Sequence, residues 1–270
     1  MKRLGDSYRT ALVTGGTSGL GLAFCEMLVA EGVEVTTVSR RPERLPETEG
    51  LRSRKLDLSD AKAVRAFAEQ YLSEQGVPDL LLNNAGYGAF FEWAKFPDEE
   101  ITRQTEVLFS GPIRLCRTFA PAMAKRERGG IVNVSSIAGL FPLPYMPLYN
   151  ATKAGISSFS ASLSLEYKDT PFVIDFRAGD FRTNFNEAAS KESALATDSR
   201  QGRAWSQIEK QLDASPEPIV AAQALRRVLR RRQGGVVYAG GFLQTCLAPL
   251  FFRLAPARFA RAVLRRWYGL

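Results

Sequence analysis

The feature that most restricts how this chain can fold is a glycine-rich turn set between a strand pattern and a helix pattern. Ala11-Leu12-Val13 is a short apolar run. Thr14-Gly15-Gly16-Thr17-Ser18-Gly19-Leu20-Gly21 follows it, and an apolar-rich helical stretch then continues to about Glu31, with Gly32 as its punctuation. A strand that breaks into such a turn and opens a helix is the first half of a βαβ unit, and βαβ units build parallel sheets covered by helices. The glycines let the backbone approach a ligand closely, while the helix N-terminus offers N–H groups and the positive end of its dipole to a pyrophosphate. Glycine also serves any tight turn, so the turn alone says little. Its position between strand and helix is what points to a nucleotide.

The same alternation continues along the chain. Residues 33–38, 51–56, 79–82, 131–134, 172–176 and 235–238 read as strands. Asp60 caps an amphipathic helix to about Gln75. A long helix is expected over 97–127, bent at Pro112 and Pro121, and further helices begin near Tyr149 and over 218–232. The expected fold class is therefore α/β: a single doubly wound Rossmann-type domain with a mainly parallel sheet and helices on both faces. The length of 270 residues suits one such domain. Residues 1–242 are assigned to it, and the polar, weakly periodic stretch 184–218 within them is read as a substrate lid. Residues 243–270 form a basic amphipathic C-terminal extension.

Composition narrows the chemistry. Histidine is absent, which removes a Ser-His-Asp triad, a histidine base and the commonest metal ligand. Acid–base work must come from tyrosine, lysine, cysteine or carboxylates, and no metal site is expected. Cys25, Cys116 and Cys246 lie far apart without CxxC spacing, so a reducing, cytoplasmic setting is expected rather than a disulfide framework. The net charge of +8 suits anionic ligands, nucleic acid or an acidic membrane surface without choosing among them. The N-terminus lacks the apolar run of a signal segment, and no stretch of about 18 apolar residues suggests a spanning helix.

Two further constellations carry chemistry. The second strand ends Val38-Ser39-Arg40-Arg41, with no acid where an NAD site would place one for the ribose. Arginine can bind a 2′-phosphate bidentately, so NADP(H) is the expected cofactor; the alternative is a pair of solvated loop arginines. Tyr149 and Lys153 are four residues apart on a helix and share a face. A nearby ammonium stabilises phenolate and lowers a tyrosine pKa, as an acid–base catalyst needs. Ser136, thirteen residues before Tyr149, can hydrogen-bond a reacting oxygen. Alone, a Tyr-x-x-x-Lys pair is usually an ordinary helix-surface pair.

Together these motifs resemble the short-chain dehydrogenase/reductase family over about residues 8–240. The resemblance rests on Thr14 to Gly21, Asn83-Asn84-Ala85-Gly86, Ser135-Ser136 and Tyr149-Asn150-Ala151-Thr152-Lys153, in that order along the chain. It implies hydride transfer between NADP(H) and a carbonyl or alcohol carbon while Tyr149 moves the proton, with Ser136, Tyr149 and Lys153 catalytic. It also implies cofactor contacts from Thr14, Gly15, Thr17, Ser18, Gly19, Leu20 and Gly21, and from Ser39, Arg40 and Arg41 toward the 2′-phosphate. Asp57 and Leu58 would sit near the adenine. Asn84, Ala85 and Gly86 would brace the nucleotide with Thr14, Lys153 would hold the ribose hydroxyls and Thr183 the carboxamide, and Tyr149 and Gly179 would also contact the cofactor. Relatives commonly form dimers or tetramers, so a homo-oligomer is expected.

Two departures from the family pattern stand out. Leu108 occupies the place of an asparagine that supports a water chain to the Lys–Tyr relay, which puts proton supply in question. A catalytically weak NADPH-binding sensor or scaffold is the alternative that this raises. Ala178-Gly179 replaces a Pro-Gly pair and keeps the flexible turn. The substrate pocket is expected from residues 140–146 and the segment from Phe185, with Phe90, Phe91 and Trp93 as weaker candidates because buried aromatics usually belong to the core.

The arginines of the C-terminal third need a separate reading. Arg226, Arg227, Arg230, Arg231 and Arg232 come without an aromatic stacking platform, so a solvated helix is expected and no nucleic-acid partner. In the final helix Phe259, Val263, Trp267 and Leu270 share one face, with Arg258, Arg261 and Arg265 on another. Such a helix either lies peripherally in a membrane interface or folds back as a lid or dimer contact. Basic tails of this kind occur on relatives that handle retinoids, steroids or acyl lipids, which implies a lipophilic substrate.

Overall fold

The structure is a computed structural model, and it describes residues 3–45, 47–167, 169–185, 189–191, 196 and 198–270. Met1 and Lys2 of the N-terminal reading, and 186–188, 192–195 and 197 of the expected lid, lie outside these residues.

Seven strands form one sheet: β1 (Thr10–Thr14), β2 (Glu34–Ser39), β3 (Leu51–Lys55), β4 (Leu80–Asn83), β6 (Gly130–Ser136), β7 (Phe172–Ala178) and β9 (Gly235–Ala239). Their spatial order is β3-β2-β1-β4-β6-β7-β9, and every pairing is parallel. A separate parallel pair joins β5 (Ala89–Phe90) to β8 (Ser190–Lys191). The helices are α1 (Gly19–Ala30), α2 (Ala61–Gln75), α3 (Asp98–Thr105), α4 (Gly111–Lys125), α5 (Pro147–Glu166), α6 (Arg200–Asp213), α7 (Pro218–Leu229), α8 (Ala248–Leu254) and α9 (Ala257–Trp267). The strand order reverses between β1 and β4. Sheets of this kind bind ligands at such a switch point, beyond the carboxyl ends of the strands.

Alternation along each strand explains the two layers of helix. Ala11 and Val13 of β1, Leu80 and Leu82 of β4, and Ile174 and Phe176 of β7 pack with Phe24 and Leu28 of α1 and with Leu225 and Leu229 of α7. Leu12, Leu81 and Ile131 point the other way, onto Phe67 and Tyr71 of α2 and Leu115, Phe119 and Met123 of α4. The period of two sends neighbouring side chains to opposite faces, so strands buried on both sides read as continuous apolar runs. Each fully buried Leu or Phe contributes about 1.5–3 kcal/mol.

Three elements differ from expectation. The long helix over 97–127 is interrupted one turn before Pro112 rather than bent at both prolines: a π-helical segment, Glu106–Ser110, separates α3 from α4. Pro112 has no N–H to offer the carbonyl of Leu108, so the widened turn takes up the mismatch. Gly111 instead donates to the Glu106 carbonyl, five residues back. Pro121 lies inside α4 without ending it.

The second difference is α6, inside the stretch read as weakly periodic loop. Ser199 caps it by accepting from Gly202 N at 2.9 Å, and Gln201, Trp205 and Ile208 are buried on one side. Polar residues around this stripe hid it in the sequence. Third, the arginine-rich helix is not wholly solvated. Arg226 and Arg230 reach the nearly buried Glu31 at the end of α1, at 2.7 and 3.2 Å.

Candidate active site

The glycine-rich turn is held in shape by the adjoining strand end. Thr14, the last residue of β1, is fully buried, and its Oγ1 accepts from the backbone N–H groups of Asn84 and Ala85, both at 3.0 Å. Asn84 Nδ2 donates back to the carbonyls of Thr14 at 3.0 Å and Gly15 at 3.3 Å. Backbone groups that would otherwise be orphaned at the sheet edge are thereby paired. Gly15 has φ +73°. A Cβ on Gly21 would stand 2.1 Å from the Gly15 carbonyl oxygen and 2.4 Å from Asn84 Nδ2, so only glycine fits there. Thr37 Oγ1 on β2 accepts from Gly16 N and donates to the Val13 carbonyl, each at 2.9 Å. The sequence reading missed this brace; its only signal was a threonine inside an apolar strand.

The other residues expected at the nucleotide fall along the same carboxyl edge. Thr17 and Ser18 lead into α1, with Gly19 and Leu20 in its first turn, and that turn carries no acid. The Ser18 hydroxyl makes no capping bond. Ser39, Arg40 and Arg41 end β2, where Ser39 Oγ accepts from Arg41 N at 3.2 Å and both arginines are exposed. Asp57 follows β3, its Oδ1 accepting from Ser59 N at 2.9 Å and Ser59 Oγ at 2.7 Å, while Leu58 is buried. Gly179 follows β7 and donates to the Ala239 carbonyl at 2.7 Å. The Thr183 side chain comes up to the glycine-rich turn, 3.4 Å from where a Cβ on Gly19 would sit.

Ser136, Tyr149 and Lys153 gather on the other side of the switch point. Ser136 ends β6 and its Oγ accepts from Ala138 N at 3.0 Å. Tyr149 and Lys153 are buried in α5, whose first residue, Pro147, is favoured at a helix start. Burial pushes the Tyr149 hydroxyl up to about 12, against the hydrogen bond from Ser136, with Asp180 adding repulsion. Burial also lowers Lys153 to about 8, with the Asp175 carboxylate pulling upward. Lys153 Nζ donates to the Val134 carbonyl at 2.7 Å and lies 5.9 Å from the centre of the Tyr149 ring. The expected depression of the tyrosine pKa by its lysine is therefore not what this geometry gives. Desolvation outweighs the ammonium, which is engaged elsewhere.

Behind the site, Asp175 on β7 is buried and accepts from Ser135 Oγ, from Ser157 Oγ at 2.5 Å and from Arg177 Nε at 2.7 Å. Leu108 is only 2% exposed, and it and Lys153 both come up to Gly86. A Cβ on Gly86 would stand 3.0 Å from Leu108 Cδ2 and 3.6 Å from Lys153 Nζ. An apolar cluster surrounds Tyr149, including Phe90, Met146, Trp205 and Ile208. Phe185 meets the Tyr149 ring edge-on at 5.6 Å between centres. Of the weaker aromatic candidates only Phe90 joins this cluster. Phe91 packs with Ala89 and Phe96, and Trp93 is mostly exposed.

The C-terminal extension reaches the same place. Tyr268 is buried in the Tyr149 cluster, with Leu264 and Leu270 packed against it. Phe252 stacks on Phe141 at 4.9 Å, and Gln244 is hydrogen-bonded on both sides of its amide to Asp180. Burial raises the Asp180 carboxyl above its ordinary pKa, with the Gln244 bond opposing. The apolar face expected in the last helix is displaced by one residue: Ala260 and Tyr268 are buried, whereas Phe259, Val263 and Trp267 face outward. Asp180, Trp205, Gln244 and Tyr268 were not singled out in the sequence. Only Trp205, with Ile208 and Leu212 at helical spacing, carried a readable signal.

Residues 9–194 match the short chain dehydrogenase family. A 3-ketodihydrosphingosine reductase of Bacteroides thetaiotaomicron is 37% identical over 180 residues, which cover 65% of this chain and 65% of that protein. The match thus takes in just under two thirds of that relative's length. Among solved structures, a short-chain dehydrogenase from Streptomyces avermitilis superposes with a TM-score of 0.80 at 27% identity, covering 98% of this chain and 97% of that one. L-Sorbose reductase from Gluconobacter frateurii, solved with NADPH and L-sorbose, gives a TM-score of 0.71 at 28% identity over 86% of this chain and 95% of that one. The matched region takes in the glycine-rich turn, Ser136, Tyr149 and Lys153, and the chain belongs to the short-chain dehydrogenase family.

Proposed function

We propose that this chain is an NADP(H)-dependent oxidoreductase that interconverts a carbonyl and an alcohol on a lipophilic substrate, with Tyr149 as the acid. The observation that carries the reading is the meeting of three buried side chains, Ser136 hydrogen-bonded to Tyr149 and Lys153 Nζ 5.9 Å from its ring, in a chain whose glycine-rich turn forms a cradle that a single Cβ would fill. Thr14 to Gly21 and the first turn of α1 suit a pyrophosphate. The exposed Arg40 and Arg41, with no carboxylate at the end of β2, favour a phosphorylated ribose over a free hydroxyl. When bound, the cofactor supplies or takes up the hydride. Tyr149 Oη gives its proton to the carbonyl oxygen, and Ser136 Oγ hydrogen-bonds the same oxygen. Lys153 keeps positive charge near the phenol as it loses that proton.

Tyr149 is held in its proton-donating form. A hydroxyl held near 12 is fully protonated at neutral pH and ready to donate, whereas oxidation needs a phenolate that burial opposes. Following NADPH and NADH absorbance with a panel of ketones and aldehydes tests the proposal. Wild-type protein is expected to consume NADPH in preference to NADH. Tyr149→Phe is expected to bind NADPH yet lose about 10²–10⁴-fold in turnover. Equal rates for the two proteins, or binding without turnover across the panel, would overturn it; the latter would leave a nucleotide sensor.

A further inference from the structure

The basic charge of this chain is not spread over it. Ten of its 36 Lys and Arg lie after Glu217 and none of its 28 Asp and Glu does, so the first 217 residues carry 26 cations against 28 acids. Exposed apolar side chains concentrate in the same place. Of fourteen large ones exposed among the described residues, eight lie between Phe242 and Trp267, where scattered exposure would put one or two. Patches of this kind mark interaction sites.

The segment has two sides. Inward, Ala260, Leu264 and Tyr268 repeat every four residues; Ala260 is buried, Tyr268 and Leu264 belong to the packing around Tyr149, and Phe252 rests on Phe141. Outward, Phe259, Val263 and Trp267 form the adjacent stripe of α9 and are 38–57% exposed. Leu243, Leu247, Leu250 and Leu254, before and within α8, are exposed by 50% or more. Arg253, Arg258, Arg261, Arg265 and Arg266 border these side chains and are all exposed. No helix among the described residues is long and apolar enough to cross a membrane.

We propose that α8, α9 and the turn before them form a docking surface for an anionic lipid bilayer. In it Phe259, Val263 and Trp267 enter the acyl boundary and the five arginines meet headgroup phosphates and carboxylates. Charge selects this occupant. A second copy applied symmetrically would set arginine against arginine with no side-chain carboxylate in the segment to neutralise them. An anionic surface matches both the apolar stripe and its basic border. Because the inner side of the segment closes on the Tyr149 cluster, docking holds the site beside the lipid in which an apolar substrate dissolves. That consequence, though not the docking itself, rests on the function proposed above.

Flotation of the full chain with phosphatidylcholine vesicles, and with vesicles containing about one third phosphatidylserine, tests the docking. The protein is expected to float with the anionic vesicles at low salt, to be released by added salt, and to ignore phosphatidylcholine alone. Phe259→Ser with Trp267→Ser, and separately Arg258→Glu with Arg265→Glu, are each expected to weaken the partition at least about tenfold. Their circular dichroism and NADPH oxidation with a water-soluble ketone should be unchanged. Wild type remaining below the gradient with anionic vesicles would overturn the docking. So would a dimer, seen by sedimentation without lipid, that Trp267→Ser dissociates. Binding without NADPH turnover would instead sink the enzymatic reading and leave the docking standing.

Discussion

At the level of single residues, the site turns on two side chains whose chemistry burial has moved in opposite senses. Lys153 titrates near 8 in the folded chain against 10.5 when solvated. Between those values the unfolded chain holds the extra proton, so stability rises with pH across that window. From about pH 7 to about pH 9.5 wild type is expected to gain on the order of 2 kcal/mol relative to Lys153→Met, read from urea midpoints. A parallel pH dependence in the two proteins would refute the assignment. The upper limit keeps the measurement below the range where Tyr149, raised to about 12, reverses the slope. The same lysine should set the reduction profile: kcat/KM is expected to fall as pH passes about 8, once the ammonium discharges. Leu108 offers a second residue-scale test, because it places buried hydrocarbon at Gly86, where Lys153 Nζ also comes close. Leu108→Asn is expected to raise turnover a fewfold by giving water a polar foothold, and to cost about 1–3 kcal/mol in stability. Unchanged turnover and an unchanged pH profile would show that proton supply does not run past this position.

Among the elements, the junction of α3 and α4 is the one most dependent on close packing. Gly111 lies where the π-helical segment ends and the helix passes the loop after β3. A Cβ there would stand 2.9 Å from the Glu106 carbonyl oxygen and 3.1 Å from that of Leu58. Both are backbone atoms and cannot swing aside. Gly111→Ala is expected to destabilise the fold by about 1–3 kcal/mol although alanine is the better helix former. A thermal midpoint equal to wild type would show the segment to be soft. Strands and their helices were legible from the sequence because a sheet covered on both faces demands continuous apolar runs, as in Ala11, Leu12 and Val13, which are all fully buried. The junction was legible only as a proline inside a helix, since Pro112 announces a lost bond but not how the neighbouring turn absorbs it. Helix α6 was missed because its buried stripe is narrow: Trp205 and Ile208 stand among charged and polar neighbours.

For the molecule as a whole, the C-terminal segment folds back onto the site, one of the two placements its amphipathic pattern allows, but with a different face inward from the one expected. It lends Tyr268 to the apolar cluster around Tyr149 and Gln244 to Asp180. Tyr268→Ala is expected to lower the thermal midpoint and to raise KM for bulky apolar carbonyls by roughly tenfold, with little change in KM for a small soluble one. Equal effects on large and small substrates would mean that Tyr268 serves the fold alone.

What the sequence determined by itself was the part governed by local geometry. A turn that must admit a backbone close approach needs glycine at Gly15 and Gly21, a pair sharing one helix face needs the spacing of Tyr149 and Lys153, and a parallel sheet covered on both faces needs short continuous apolar runs. Those requirements act over a few residues and leave a readable pattern. Tertiary structure alone decided the burial that sets the two proton affinities, the Asp175 network beneath Lys153 and the face that α9 turns inward. Each depends on groups far apart in the chain, as Tyr268 is from Tyr149 and Gln244 from Asp180. A helix with two apolar stripes cannot declare which of them the rest of the fold will cover.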